Sequence, residues 1–451
     1  MTQTAGTTQP RLPESLGTWV AKQRWYAGKG SEPRLERIGG WSLQTRDARI
    51  STHYILDRGI DAIRLYQVPL TERTAPLPSL DAIGIVDGLY VYDAPHDPAY
   101  APAILDLVLS EGIAGETRGH RQPGTPPISV SASAVLTGEQ SNTSIICQVD
   151  SGAPVILKIF RALHHGDNPD VILQSAIAAA GSLLVPTSVG YLSGEWRDSG
   201  RPNRVATGHL AFAQEFIPGA KDAWRIALEH ALVGTDFSAE ARGLGEATAE
   251  VHATLSGALP TRETTADDID EIITGMRGRL DQALSDLPAL EEYRALIESV
   301  FEGARDATWP ALQRIHGDYH LGQVLAAPGR GWVLVDFEGE PLRAMTERSE
   351  PDITLRDVAG MLRSFDYVAG SVALTTGGET PSEWASAARH GFIDGYIAGS
   401  GNDVRDHREL LDAFEIDKAL YEAVYEVRNR PGWVGIPAAA IRRLAERRAR
   451  L

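Results

Sequence analysis

Hydrophobic periodicity changes once along this chain, and that change limits the folds open to it. Runs such as RISTHYILD and AIRLYQVPL alternate apolar with polar residues, and ISVSASAVLTGE, NTSIICQV, PVILKIF and HLAFAQEFIP again read as strands. That period suits half-buried strands of antiparallel sheet. From about Asp222 the period lengthens to that of amphipathic helices, as in AEARGLGEATAEVHATLSGAL, EEYRALIESVFEGARD, LLDAFEIDKALYEAVYEVR and IPAAAIRRLAERRARL. Each portion is interrupted by the other kind of element. PDVILQSAIAAAG, with Pro169 suited to a first helical turn and Gly181 to a helix end, predicts a helix among the strands. LAAPGRGWVLVDFEGE predicts a hairpin among the helices, turning at Gly329 to Gly331. The order predicts an α+β, two-lobed enzyme with an added N-terminal module.

Length and punctuation refine that division. At 451 residues the chain has room for several units. The breaker cluster GHRQPGTPP marks a boundary. The expected segments are a small β-rich module (1–90), an intermediate segment (91–127), a β-rich lobe (128–220) and an α-helical lobe (221–451). Acidic residues outnumber basic ones 60 to 43, for a formal charge of −17. That field opposes phosphate backbones and anionic membranes, so neither nucleic acid nor membrane is expected as a partner. The one cysteine, Cys147, excludes an internal disulfide and a multi-cysteine metal site, and its apolar neighbours mark it as a core residue. MTQTAGTTQPRLPESLG has neither the basic nor the apolar region of a secretory signal. No apolar stretch approaches the roughly 18 residues of a membrane helix. The expectation is a cytoplasmic monomer.

One segment carries chemistry. Ile315-His316-Gly317-Asp318-Tyr319-His320-Leu321-Gly322-Gln323 precedes the hairpin, which ends in Val335-Asp336-Phe337-Glu338. Phosphoryl transfer needs a carboxylate to orient the attacking hydroxyl and take its proton, and oxygen ligands to hold Mg²⁺ against the phosphates. Asp318 fits the first role, Gln323 and Asp336 the second. Upstream, Lys158 sits inside the apolar strand VILKIF, where a charge is costly unless paired; a strand lysine of that kind neutralises the α- and β-phosphates of a nucleotide. Before it, the loop TGEQSNTS joins two strands, and Ser141, Asn142 and Thr143 are small enough to let backbone N–H groups approach phosphates. The strand around Gln214, Glu215 and Ile217 ends where the β-rich portion meets the helical one, and its backbone is placed to meet an adenine edge.

GEQSNTSIICQV, VILKIFR, IHGDYHLGQVL, VLVDFEGEP, LRDVAGMLRSFDY and DKALYEAVYEVRNRPGW resemble the actinobacterial maltokinase family, and WVAKQRWYAGKG with RLYQVPLTERTAPLP resembles its cap module. The resemblance runs over nearly the whole chain. It implies the bilobal fold of eukaryotic-like protein kinases and aminoglycoside phosphotransferases with an N-terminal cap subdomain, ATP and Mg²⁺ as cofactors, and a sugar hydroxyl as acceptor, maltose giving maltose 1-phosphate. By motif position Asp318 is similar to the catalytic base, Gln323 and Asp336 to the metal ligands, and Lys158 to the phosphate lysine. Two departures stand out. Ile172 occupies the position where a glutamate partner for the lysine is expected, leaving Asp170 or Gln174 to replace it. Ala180 to Pro186 also differs from the expected Asn-Pro-His stretch. Actinobacterial glucosamine kinases share these motifs, so glucosamine giving glucosamine 6-phosphate is the alternative. A nucleotide-binding protein without transfer activity, and a kinase of aminoglycosides or small amines, are further alternatives.

Sugar pockets pair carboxylates with hydroxyls and stack rings on aromatic faces. His320, Glu338, Arg356, Asp417, Tyr421, Glu422, Tyr425 and Glu426 are the candidates, with Asp357 and Trp433 beside them. Asp417, Tyr421 and Tyr425 share one helix face and Glu422 and Glu426 another. Asp357, just before the apolar run VAGML, also suits a helix cap.

Overall fold

In the computed structural model the described residues are 12–59, 63–136, 142–340, 343 and 345–448. Contacts divide the chain into two compact units, Met1–Val171 with Pro186–Pro218, and Ile172–Val185 with Gly219–Leu451. The chain therefore passes between them more than once, the first time within the helix Pro169–Ala179.

The first unit holds two antiparallel sheets. One runs in the order Leu35–Gln44, Arg49–Asp57, Arg64–Arg73, Leu89–Asp93, Gly84–Val86, and Ala162–Leu163 pairs with Arg64–Arg73. The other runs Ile113–Ala114, Thr117–Arg121, Ser188–Arg197, Val205–Glu215, Val155–Phe160, Asn142–Val149, Val130–Val135. Thus the expected intermediate segment contributes strands to the same sheet as the segment after it. The strands Arg49–Asp57 and Arg64–Arg73 are buried along most of their length instead of on one face only. The reason is a core on each side. Ile50 and Tyr54 pack with Trp41, Tyr100 and Ile104, while Ile55, Tyr66, Val68 and Leu70 pack with Leu16, Val20, Trp25 and Tyr26. Cys147 lies in the first of these cores, and burial pushes its thiol up to about 12. It is an inert packing residue.

The second unit is helical around the small sheet Lys221–Asp222, Val324–Ala327, Gly331–Leu334, whose last two strands are the predicted hairpin. Helices Ser238–Ala258, Ala266–Asp286, Arg294–Arg305, Leu355–Thr376, Ser382–Ser400, Arg408–Asn429 and Gly435–Arg448 enclose one apolar core. Leu355–Thr376 is buried over most of its circumference, Asp357 and Arg363 included. Charges at such positions are retained only when paired, and these two are. No helix of the described residues is long and apolar enough to cross a membrane.

Candidate active site

The loop His316–Gln323 is irregular backbone inside a helical unit, so its polar groups need partners other than a ladder. Asp357, in the first turn of Leu355–Thr376, supplies them: its carboxylate accepts from the backbone N–H of His316 at 2.8 Å and of Gly317 at 2.9 Å. His252 Nε2 donates to the same carboxylate at 3.0 Å, while the Tyr396 hydroxyl holds His252 Nδ1 at 3.0 Å. Asp357 therefore fixes the loop. Without it the buried His316 amide would go unpaired, at about 1–3 kcal/mol, and the part-buried Gly317 amide would lose its partner too. Further ties come from Tyr319 and Thr248, hydroxyl to hydroxyl at 2.8 Å, and from the Leu321 amide to Ser364 at 3.1 Å. Close approach matters too. A Cβ on Gly360 would lie 2.5 Å from the Tyr319 carbonyl oxygen, so only glycine lets the helix reach the loop.

Asp318 stands on this fixed loop. Lys418, from Arg408–Asn429, donates to Asp318 Oδ1 at 3.0 Å and to Glu340 Oε1 at 2.6 Å. Burial by itself would raise the Asp318 carboxyl, but Lys418, aided by His320 and His316, overrides it and holds the group down at about 2. Burial likewise opposes the Lys418 charge, yet Glu340 and Asp318 push its ammonium well above the usual lysine value. The sequence reading misses Lys418. It lies one helical turn before Glu422, on the face already assigned to Glu422 and Glu426, and that spacing is the available signal.

The hairpin delivers the other oxygen donors. Asp336 follows the strand Gly331–Leu334 with φ of 67°, an uncommon value for a residue with a side chain. Gln323 Nε2 donates to Asp336 Oδ2 at 3.2 Å, so the two expected metal ligands are neighbours. The ring of Phe337 stacks on His316, centroids 4.4 Å apart, and His316 Nε2 donates to the Val335 carbonyl at 3.0 Å. A carboxylate beside an amide, both oxygen-bearing and half-buried, fits the hard-donor preference of Mg²⁺.

In the first unit Lys158 Nζ donates to Asp170 Oδ2 at 2.8 Å, with Asp170 fully buried. The missing glutamate is thus replaced by an aspartate at the helix start. Ser141 lies outside the described residues. Asn142 begins a strand, and the neighbouring Thr143 hydroxyl accepts from Arg161 Nε at 2.8 Å, in a buried network that also joins Arg161 to Asp93. The Thr143 side chain is therefore engaged in packing the sheet. Glu215 and Phe216 give their amides to the carbonyls of Thr187 and Pro154, so these two N–H groups are already used. Gln214 is buried in the strand Val205–Glu215, and Ile217 follows its end.

Several expected sugar contacts are committed elsewhere. Arg356 lies between Asp352 at 2.6 Å and Asp417 at 3.2 Å, over the Phe414 ring. Asp417 is also held by Arg279 through two bonds at 2.5 and 2.8 Å. Arg363 holds Glu422, while Tyr367 and Arg430 hold Glu426. A carboxylate needs an arginine when buried, and helix spacing alone does not show which ones have it. Tyr425 is exposed beside Arg430, and Trp433 stacks on Tyr367. Tyr421 lies 4.9 Å from Lys418 Nζ, and so does border Asp318's partner. His320 Nδ1 accepts from the Gly322 amide at 3.0 Å. Glu338 is half-buried, two residues beyond Asp336.

Comparison with known proteins gives the family and the fold. Residues 19–97 match the model of the maltokinase N-terminal cap domain and residues 134–409 that of the phosphotransferase enzyme family. A glucosamine kinase of Streptacidiphilus jiangxiensis is 31% identical over 247 residues, covering 51% of this chain and 56% of that protein. One of Mycolicibacterium smegmatis is 27% identical over 336 residues, covering 68% and 78%. A solved glucosamine kinase in complex with glucosamine, ADP and inorganic phosphate superposes with a TM-score of 0.69 over 97% of this chain and 99% of that one, at 22% identity. At that identity the likeness shows the fold: mixed helix and antiparallel sheet, of the kind shared by these kinases.

Proposed function

Because the chain belongs to the phosphotransferase enzyme family, we propose that it transfers the γ-phosphate of ATP to a sugar hydroxyl, with maltose the first acceptor and maltose 1-phosphate the product. The observation that carries the reading is Asp318 itself: an ionised carboxylate on a loop pinned by Asp357, followed in one loop-and-hairpin by Gln323 and Asp336. In this reading Asp318 accepts the proton of the attacking hydroxyl and aims its oxygen at the phosphorus. Lys158, aimed by Asp170, neutralises charge on the α- and β-phosphates. Gln323 and Asp336 would hold Mg²⁺, which supplies charge neutralisation on the transferred phosphoryl group. The main chain near Ile217 is left to meet the adenine. Maltose is placed first because the N-terminal residues match a maltokinase cap.

Glucosamine is the second reading, favoured by the two glucosamine kinase relatives. A nucleotide binder without transfer loses its main motive, since that reading rests on a phosphate lysine lacking an acidic partner and Asp170 provides one. Measuring ADP release with maltose and glucosamine side by side separates the readings. Turnover is expected with maltose. Turnover with glucosamine alone would overturn the acceptor assignment, and none with any sugar would overturn the sugar kinase reading.

A further inference from the structure

Each acidic residue of the helix Arg408–Asn429 that the sequence offers to an acceptor already has a cation. Asp417 has Arg279 and Arg356, Glu422 has Arg363, and Glu426 has Arg430. Lys418 lies one turn before Glu422, and its ammonium, partly buried at 13% side-chain exposure, is shared between Asp318 and Glu340. Arg343 Nε stands a further 3.6 Å from Glu340. The base that receives the acceptor hydroxyl thus has a fixed positive charge against one of its two oxygens.

We propose that Lys418 is a specificity-determining residue that makes this site choose a neutral acceptor over a protonated amino sugar. The proposal rests on the sugar kinase reading above and concerns the acceptor within it. A hydroxyl brought to Asp318 lies within a few ångströms of the Lys418 ammonium. A neutral sugar meets that charge as an ordinary hydrogen-bonding group. An amino sugar brings a second ammonium into a poorly solvated space, where like charges repel far more strongly than in water. The nearby carboxylates Asp318 and Glu340 already face Lys418, with Arg343 beside Glu340, and those farther along the helix hold arginines. Lys418 acts here through charge, without taking part in proton transfer. Its other contact, the Tyr421 ring, fixes where the ammonium sits.

The test is the ratio of kcat/KM for maltose to that for glucosamine in wild type, Lys418→Met and Glu340→Gln. Methionine keeps much of the length of lysine without its charge. Wild type is expected to favour maltose by about a hundredfold or more. Lys418→Met should narrow the ratio by about tenfold, mainly through a lower KM for glucosamine, even as kcat falls on both sugars. Glu340→Gln keeps Lys418 and removes one offsetting carboxylate, so it should widen the ratio. A purely structural role would lower both activities in parallel and leave the ratio fixed. Wild type that uses glucosamine as efficiently as maltose overturns the charge-selection idea while leaving the kinase reading intact. So does an unchanged ratio in a Lys418→Met protein that melts cooperatively. If that variant does not fold, a ratio in Glu340→Gln that stays level or moves toward glucosamine overturns it. Absence of turnover with every sugar removes both readings together.

Discussion

Among the described residues two lysine–aspartate pairs, one buried and one partly buried, have opposite purposes in the proposed function. Lys158 and Asp170 meet at 2.8 Å with side-chain exposures of 9% and 0%, so the lysine is the member left reachable. Lys418 and Asp318 meet at 3.0 Å with exposures of 13% and 17%, and there the lysine is shared with Glu340. In the first pair the acid serves to aim the lysine. In the second, the lysine holds the acid ionised, and the proposed reaction gives the acid the acceptor hydroxyl. In that proposal the same two residue types serve phosphate binding in one unit and hydroxyl activation in the other. Which member remains accessible marks its role better than the distance between them.

The largest effect expected from this contrast belongs to Asp318→Asn. Turnover should fall by about 10²–10⁴-fold, the range for losing a positioned general base. ATP affinity should stay within a few-fold, and the fold should persist because Lys418 retains Glu340. Near-normal kcat would remove Asp318 from its assigned role. Asp170→Asn should act on the other side of the comparison. Its amide still reaches Lys158 but no longer offsets its charge, so KM for ATP is expected to rise about tenfold with a smaller change in kcat. Steady-state kinetics at saturating sugar, with a melting curve to confirm folding, separates the two patterns. An unchanged KM for ATP would mean that Asp170 does not aim Lys158 toward the phosphates.

The uneven legibility of the two pairs has a physical origin. Lys158 is visible because a charge inside the strand Val155–Phe160 violates the strand's own pattern. Asp170 is one of two candidates, being close in sequence and at the start of a helix. Asp318, Gln323 and Asp336 are readable because loop and hairpin are contiguous, so spacing along the chain stands in for distance. Lys418 is not, because its partners come from a distant loop and no local pattern is violated by a lysine on a helix. The ion pairs of Arg356, Asp417, Glu422 and Glu426 are hidden for the same reason. Spacing shows which of them share a helix face. It does not show that Arg356 is held by Asp352 and Asp417, or that Arg279, Arg363 and Arg430 meet the three carboxylates, because most of those pairs form only in the folded unit.

The smallest effect expected is on pH dependence, and it tests the Lys418–Asp318 pair directly. Burial alone would raise the Asp318 carboxyl, yet Lys418, with His320 and His316 adding to it, brings the group to about 2 in the folded protein. An unfolded aspartate titrates near 3.9. A group whose folded value is the lower one binds protons more readily when unfolded, so its contribution to stability is fully present above about pH 4 and is lost as pH falls toward about 2. Between pH 7 and pH 5 the melting-temperature difference between wild type and Asp318→Asn should therefore stay constant. Below about pH 4 wild type should lose ground to the variant, by on the order of a few °C. The comparison cancels the titration of distant groups common to both proteins. A difference that already closes between pH 7 and pH 5 would mean that Asp318 titrates higher than the pair allows, and that Lys418 is not holding it ionised.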